Sequence, residues 1–276
     1  MTKIGIIGYG FVGEAVEYGF KANNEIKIYD KYKNYNAFEE TINDSEIIFI
    51  CLPTPYKDNK IDLSIIDETI EDISKLAEDT NKIIVIKSTA IPGTTEKYSK
   101  KYQKLNFCFN PEFLREKHHL QDFINADRTV IGANNEEIKK RMIKLYKDNF
   151  PKIPIFTSDT SAAELSKYMA NSFLATKVIF ANEIYDLCQK LDINYEDVKE
   201  MVLADKRIGD SHFDVTKERG FGGKCFPKDL IAFLALFKSF DIDSSLLKTV
   251  HEKNNKIRKT KDWKDIPFVN SDNKNV

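Results

Sequence analysis

Three observations predict an α/β fold built on a parallel sheet: short apolar runs recur as far as Gly132, amphipathic stretches separate them, and a glycine triplet follows the first run directly. The runs are Lys3 to Ile7, Ile26 to Tyr29, Ile47 to Cys51, Ile83 to Ile86, Phe107 to Asn110 and Thr129 to Gly132. They read as near-continuous apolar segments, as strands buried on both faces do. Between them, Leu63 to Leu76 and Thr94 to Gln103 carry apolar residues at three- and four-residue steps, the spacing of one helix face. From about Ser158 the period becomes helical throughout. Ala162 to Lys190 forms one long helix candidate with Ser158, Asp159 and Ser161 as caps, and Tyr195 to Ala204 forms a shorter one. A Gly- and charge-rich loop, Asp205 to Lys224, precedes helix candidates at Lys228 to Phe240 and Ser244 to Lys259.

Gly8-Tyr9-Gly10-Phe11-Val12-Gly13 lies between the first strand and a helix, the context that gives GxGxxG its meaning. Gly8 permits the tight turn, Gly10 lets a pyrophosphate approach the backbone, and Gly13 lets helix pack on strand. Amides at the helix N-terminus then face the phosphates. Asp30 ends the second strand, 17 residues after Gly13, where a carboxylate takes the two hydroxyls of an adenosine ribose. This selects NAD, although Lys31 and Lys33 leave NADP open. The predicted class is therefore α/β, with a Rossmann-type parallel sheet domain at 1–157 followed by a helical dimerisation domain at 158–259 and a polar tail at 260–276. Apolar positions on the long helix, among them Leu165, Met169, Phe173, Val178, Phe180 and Leu187, spread wider than one core-facing stripe and predict a homodimer.

Composition narrows the function classes. With 42 basic and 43 acidic residues among 276, the net charge is −1 and no basic field calls for nucleic acid. No apolar stretch approaches the roughly 20 residues that cross a bilayer, and no leader or transit pattern opens the chain, so a cytoplasmic, non-membrane protein is expected. Cys51, Cys108, Cys188 and Cys225 form no CxxC pair, which argues against a metal site and a disulfide framework.

Cys225 stands apart because Gly222 and Gly223 precede it and Pro227 follows, placing it at a helix start where amides and dipole favour a thiolate. Such a thiolate adds to an aldehyde to give a hemithioacetal, which becomes a thioester on losing hydride. Asp229, one turn on, either polarises a water or the thiol or only complements the helix dipole. Glu164, Lys167 and Asn171 share one face of the long helix; a lysine and an amide there suit a developing oxyanion, while an ordinary solvated Glu–Lys pair is the bland alternative. Glu112 and Glu116 follow the fifth strand at the sheet edge where ligands bind, or else are turn carboxylates or partners of Arg115. Thr89 follows the fourth strand, where its hydroxyl orders a water or closes a turn. Thr54 and Pro55, after the third, read as cofactor-facing turn residues, and His118 and His119 as surface residues.

Set in order, the motifs GYGFVG, Leu52 to Pro55, Lys87 to Gly93 (KSTAIPG), Asn110 to Glu116 (NPEFLRE), Glu164 to Asn171 (ELSKYMAN), Arg207 to Gly209 and Phe221 to Asp229 (FGGKCFPKD) resemble the UDP-glucose/GDP-mannose dehydrogenase family over residues 1 to about 259. The resemblance implies NAD-dependent oxidation of a nucleotide-sugar C6 alcohol to the carboxylate, UDP-glucose to UDP-glucuronate above all. It implies Cys225 as nucleophile, with Asp229 beside it, Lys167 and Asn171 at the reacting end of the sugar, and Glu112 serving water attack. Ser88, Thr89 and Glu116 join the cofactor set. Phe113, Leu114, Arg115, Phe221 and Gly222 join Glu112, Lys167 and Asn171 in the substrate set, and Arg207 is a phosphate clamp reaching across a subunit interface. The loop from Arg207 to Cys225 is longer than the family pattern, with His212-Phe213-Asp214 in place of its usual run. Family members continue into a second Rossmann-like domain, whereas this sequence ends soon after the helix that would lead there. Two alternatives follow: a β-hydroxyacid-type dehydrogenase, which needs no catalytic cysteine, and a truncated NAD-binding homologue that acts only with a partner.

Overall fold

The computed structural model describes residues 1–57, 60–77 and 81–264, so most of the expected tail, 265–276, lies outside the described residues. The chain divides into two compact units. One comprises Met1–Thr54 and Asp62–Lys167; the other comprises Pro55–Ile61 and the chain from Tyr168 onward.

In chain order the elements are β1 (Lys3–Ile7), α1 (Phe11–Phe20), β2 (Glu25–Tyr29), α2 (Phe38–Asn43), β3 (Ile47–Ile50), β4 (Tyr56–Lys57), β5 (Lys60–Ile61), α3 (Ser64–Leu76), β6 (Ile83–Ile86), α4 (Thr94–Lys101), β7 (Asn106–Phe109), α5 (His119–Ile124), β8 (Thr129–Gly132), α6 (Glu136–Asn149) and β9 (Ile155–Ser158). The helices α7 (Thr160–Leu191), α8 (Tyr195–Leu203), α9 (Phe226–Ser239) and α10 (Ser245–Ile257) follow.

The first unit holds a seven-stranded sheet in the order β2-β1-β3-β6-β7-β8-β9. Successive residues of one strand face opposite cores: Ile47, Phe49, Ile83 and Val85 join Phe20 and Tyr146 on one side, while Ile48, Ile50, Ile84 and Ile86 meet Ile66, Ile70 and Tyr98 on the other. Burial on both faces explains the unbroken apolar runs.

One strand corrects the all-parallel expectation. β8 runs antiparallel to β7, with Phe109 opposite Gly132, and β9, an additional strand, runs parallel to β8. The six-residue α5 between β7 and β8 packs on α1 and is too short to carry the chain back across the sheet, so β8 starts from the end at which β7 finishes.

In the second unit α7, α9 and α10 enclose Ala175, Ile179, Phe221, Leu230 and Val250, and α7 with α8 encloses Ala181, Cys188, Tyr195 and Phe213. The short antiparallel hairpin β4–β5, absent from the sequence reading, belongs to this unit, and β5 lies against α9. Val178 faces this core, whereas Met169, Phe173, Phe180 and Leu187 on the same helix are exposed. The tail opens with a packed turn, because Trp263 is buried and Asp262 is bonded to Arg258. No helix of the described residues is long and apolar enough to cross a membrane, and no group of three or more His, Cys, Asp or Glu among them is arranged to hold a metal.

Candidate functional site

The glycine turn is built as its three positions require. Gly8 has φ +90°, and a Cβ there would stand 2.7 Å from the Cys51 carbonyl oxygen. A Cβ on Gly13 would stand 2.2 Å from the Gly8 carbonyl oxygen, which fixes helix against strand. Gly10, by contrast, has nothing within 4 Å of its Cβ position and caps α1 without a side-chain bond, leaving the amides of that helix end open to an anion. Asp30 steadies the turn: Oδ2 accepts from Tyr9 N at 2.7 Å and Oδ1 from Tyr32 N at 2.9 Å. Each oxygen retains a lone pair for a ribose hydroxyl. Lys33 donates to the Tyr9 carbonyl at 2.6 Å and lies over the Tyr9 ring. Phe11 and Val12 are half-buried, Val12 against the core. This cradle fits a dinucleotide. Beside it, Thr54 and Ser88 are buried, Ser88 Oγ donating to the Leu52 carbonyl at 2.7 Å, while Thr89 is half-exposed. Pro55 opens the second unit's first segment.

The segment after β7 is fixed by two buried lysines. Lys167 Nζ donates to Glu112 Oε1 at 2.8 Å and to the Glu112 carbonyl at 2.6 Å, and stands over the Phe113 ring. Leu114 N donates to Glu112 Oε2 at 2.7 Å. Lys87 donates to Asn110 Oδ1 at 2.9 Å and to its carbonyl at 3.2 Å, and Tyr146 OH donates to the same Oδ1. Burial pulls the Lys87 ammonium down to about 8, against the opposing pull of Cys51 and Glu112. Arg115 turns instead to Asp122, which it meets through backbone and guanidinium. Glu116 is exposed at the start of a 3₁₀ turn. His118 is exposed, but His119 is half-buried, with Nδ1 on the Glu116 carbonyl and Nε2 on Glu14.

Glu164 departs from the solvated pair that its spacing to Lys167 allows. Wholly buried, it accepts from Gly93 N at 2.6 Å, Thr95 N at 2.8 Å and Thr95 Oγ1 at 2.6 Å. The N-cap of α4 is Gly93, which has no side chain, so Glu164 supplies the missing acceptor from 69 residues away. Burial raises its carboxyl to about 7, and these same hydrogen bonds oppose the rise.

In the second unit Cys225 is the N-cap of α9, half-exposed, with Pro227 within the first turn. Cys51, Cys108 and Cys188 are buried. Asp229, one turn on, is 1% exposed; its Oδ2 accepts from Asn171 Nδ2 at 2.6 Å and its Oδ1 from Lys228 Nζ at 2.8 Å. Phe221 packs into the core, its amide and carbonyl both bonded to Asn254. At Gly222 the tips of Asp262 and Arg258 occupy the space a Cβ would need. Arg207 is exposed and forked onto Asp205 at 2.5 to 3.0 Å.

Sequence reasoning missed Lys87, the cap formed by Glu164, and Asn254. The only local sign of the second was a helix start, Gly93-Thr94-Thr95, with a glycine at its cap; the bonds of Lys87 and Asn254 span 23 and 33 residues and leave no periodic trace.

Comparison with known proteins gives a consistent picture. Residues 17–150 match the model of the UDP-glucose/GDP-mannose dehydrogenase family, NAD binding domain, and residues 161–256 match that family's central domain. The chain is 38% identical over 233 residues to a UDP-glucose 6-dehydrogenase of Rickettsia felis, covering 82% of this chain and 51% of that protein. It spans about half the length of the first curated relatives it matches. Among solved structures, a UDP-glucose dehydrogenase from Pyrobaculum islandicum superposes with a TM-score of 0.84 at 29% identity, over 93% of this chain and 68% of that one. A 3-hydroxyisobutyrate dehydrogenase of Mycobacterium tuberculosis superposes over 93% of both chains with a TM-score of 0.74 but only 15% identity, a likeness of fold alone.

Proposed function

The chain belongs to the UDP-glucose/GDP-mannose dehydrogenase family, and on that premise we propose that it is an NAD-dependent nucleotide-sugar dehydrogenase oxidising a C6 alcohol to the carboxylate, with UDP-glucose as substrate. The observation that carries the reading is the start of α9. A half-exposed thiol, Cys225, caps the helix one turn before a buried carboxylate, Asp229, which the amide of Asn171 holds from α7. Simple hydride transfer from an alcohol has no use for that thiol; a four-electron oxidation does.

The alcohol loses a hydride and a proton to become an aldehyde, and the Cys225 thiolate adds to its carbon. The hemithioacetal gives up its hydroxyl proton and a second hydride to become a thioester, and water then releases the carboxylate and returns the thiol. The glycine turn and Asp30 would hold NAD⁺, which would supply the hydride acceptor, one equivalent for each oxidation. Lys167 and Asn171 supply N–H donors to the oxygen that becomes anionic. Glu112, positioned by Lys167 and the Leu114 amide, accepts a proton from the attacking water, and Thr89 orders that water. Asp229 orients the group at the cysteine. Arg207, Phe113, Leu114, Arg115, Phe221 and Gly222 complete the substrate set by resemblance to the family.

The functional form is read as a homodimer, supported by the exposed row Met169, Phe173, Phe180 and Leu187 on α7. A cytoplasmic location is read with this function, since free cysteines persist in a reducing compartment.

NADH release against a panel of UDP- and GDP-sugars tests the reading, with two NADH per sugar expected. One NADH per substrate from a small hydroxyacid would favour the β-hydroxyacid alternative. No turnover despite NAD binding would favour the homologue that acts with a partner. Cys225→Ser is expected to leave NAD affinity unchanged and abolish carboxylate formation; undiminished acid production would exclude the thioester.

A further inference from the structure

Three residues in the run leading to Cys225 have left-handed backbone: Arg219 at φ +58°, Gly220 at +50° and Gly223 at +76°. Such a conformation persists at a non-glycine residue only where its surroundings impose it. Two asparagines on different helices, each 1% exposed, do so. Asn182 of α7 accepts from Arg219 Nε at 2.7 Å and from Gly220 N at 3.2 Å. Asn254 of α10 accepts from Phe221 N at 2.8 Å and returns a donor to the Phe221 carbonyl at 3.0 Å. The space at Gly220 is shaped to the second clamp, since a Cβ there would lie 2.3 Å from Asn254 Oδ1. Beyond them Asp262 accepts from Gly223 N at 3.1 Å, two residues before the thiol.

We propose that Asn182 and Asn254 are positioning residues that, by binding Arg219 to Phe221 from two helices, hold Cys225 at the N-terminus of α9. Buried amides satisfying main-chain groups on a strained run cannot be exchanged for hydrophobic side chains without leaving those groups unpaired. The run therefore has one position, and the thiol at its end inherits it. The inference rests on the reading of Cys225 as nucleophile, but its test reads thiol chemistry rather than turnover.

The experiment alkylates the intact protein with iodoacetamide from pH 6 to 10 and follows Cys225 by peptide mass spectrometry. The buried Cys51, Cys108 and Cys188 serve as internal controls for unfolding. Asn182→Ala and Asn254→Ala are compared with wild type; the latter removes both the acceptor for Phe221 N and the donor to its carbonyl without adding a charge. Gly220→Ala displaces the clamp from the loop side. In each variant the alkylation midpoint is expected to rise by on the order of half a pH unit as the thiol leaves the helix-end amides, with the control cysteines still protected. Unchanged midpoints in folded variants, with only a lower melting temperature, would make the asparagines purely structural and overturn the proposal. So would failure of all three variants to fold. Loss of carboxylate formation does not enter this readout, so a failure of the dehydrogenase reading is seen separately, in the Cys225→Ser assay.

Discussion

Asn171 on α7 donates its side-chain amide to Asp229 on α9 at 2.6 Å, closing a buried bond between the helix of the expected oxyanion donors and the helix that begins at the cysteine. Asp229 is almost fully enclosed and has Lys228 as its second partner. Asn171→Ala leaves one carboxylate oxygen without that donor, at a cost of about 1 to 3 kcal/mol. Asn171→Asp sets two carboxylates against each other and is expected to cost more. Urea denaturation orders the three proteins; an Asn171→Asp midpoint equal to wild type would remove the bond from the account.

Much of this was legible in the sequence because it is local. The runs from Lys3 to Gly132 gave strands within a residue or so of those observed, since burial on both sheet faces demands unbroken apolar side chains. The glycine turn was readable because Gly8 and Gly13 each answer a separate steric demand, while Gly10 keeps the space before the helix open. Placing Cys225 at a helix start needed only Gly-Gly before it and Pro after. The direction of β8 was hidden, since it depends on how the chain travels from Asn110 to Asp127 and not on the composition of Thr129 to Gly132. Glu164 illustrates the wider difficulty: its spacing to Lys167 resembles a surface pair, and only the fold reveals that its partners are the amides of Gly93 and Thr95.

The cofactor preference rests on Asp30, which also braces the glycine turn through Tyr9 N. Asp30→Ala is therefore expected to weaken NAD by more than the loss of ribose contacts alone, each charge-assisted bond contributing about 1.5 to 3 kcal/mol. Calorimetric titration with NAD and NADP checks this; tighter binding of NADP by the wild-type protein would overturn the preference and point to Lys31 and Lys33.

Exposure of Met169 at 68% and Phe173 at 62%, four residues apart on α7, marks an apolar ridge that a second copy would cover. Light scattering at micromolar concentration is expected to give a dimer mass for the wild type and a monomer mass for Met169→Glu/Phe173→Glu. A monomeric wild type would end the homodimer reading, and Val178, which faces the core, should not be used as a probe of it.

The buried carboxyl of Glu164 gives the last prediction, a pH dependence with a definite sign. Burial raises this group from its ordinary 4.5 to about 7 in the folded chain, while the unfolded chain keeps the ordinary value. Between those two values the folded state holds more protons than the unfolded state, so stability falls as pH rises through that window. Below it both states are protonated and the contribution is fully present; above it the folded chain bears a buried charge eased by Gly93 N, Thr95 N and Thr95 Oγ1. Glu164→Gln cannot ionise, so its melting temperature should decline less steeply than that of the wild type from pH 5 to 7. Its amide nitrogen must also face the Gly93 or Thr95 donors, which lowers its stability at every pH and separates offset from slope. If the two proteins differ by a constant amount across that range, the carboxyl does not titrate there, and Glu164 caps α4 as a permanent anion.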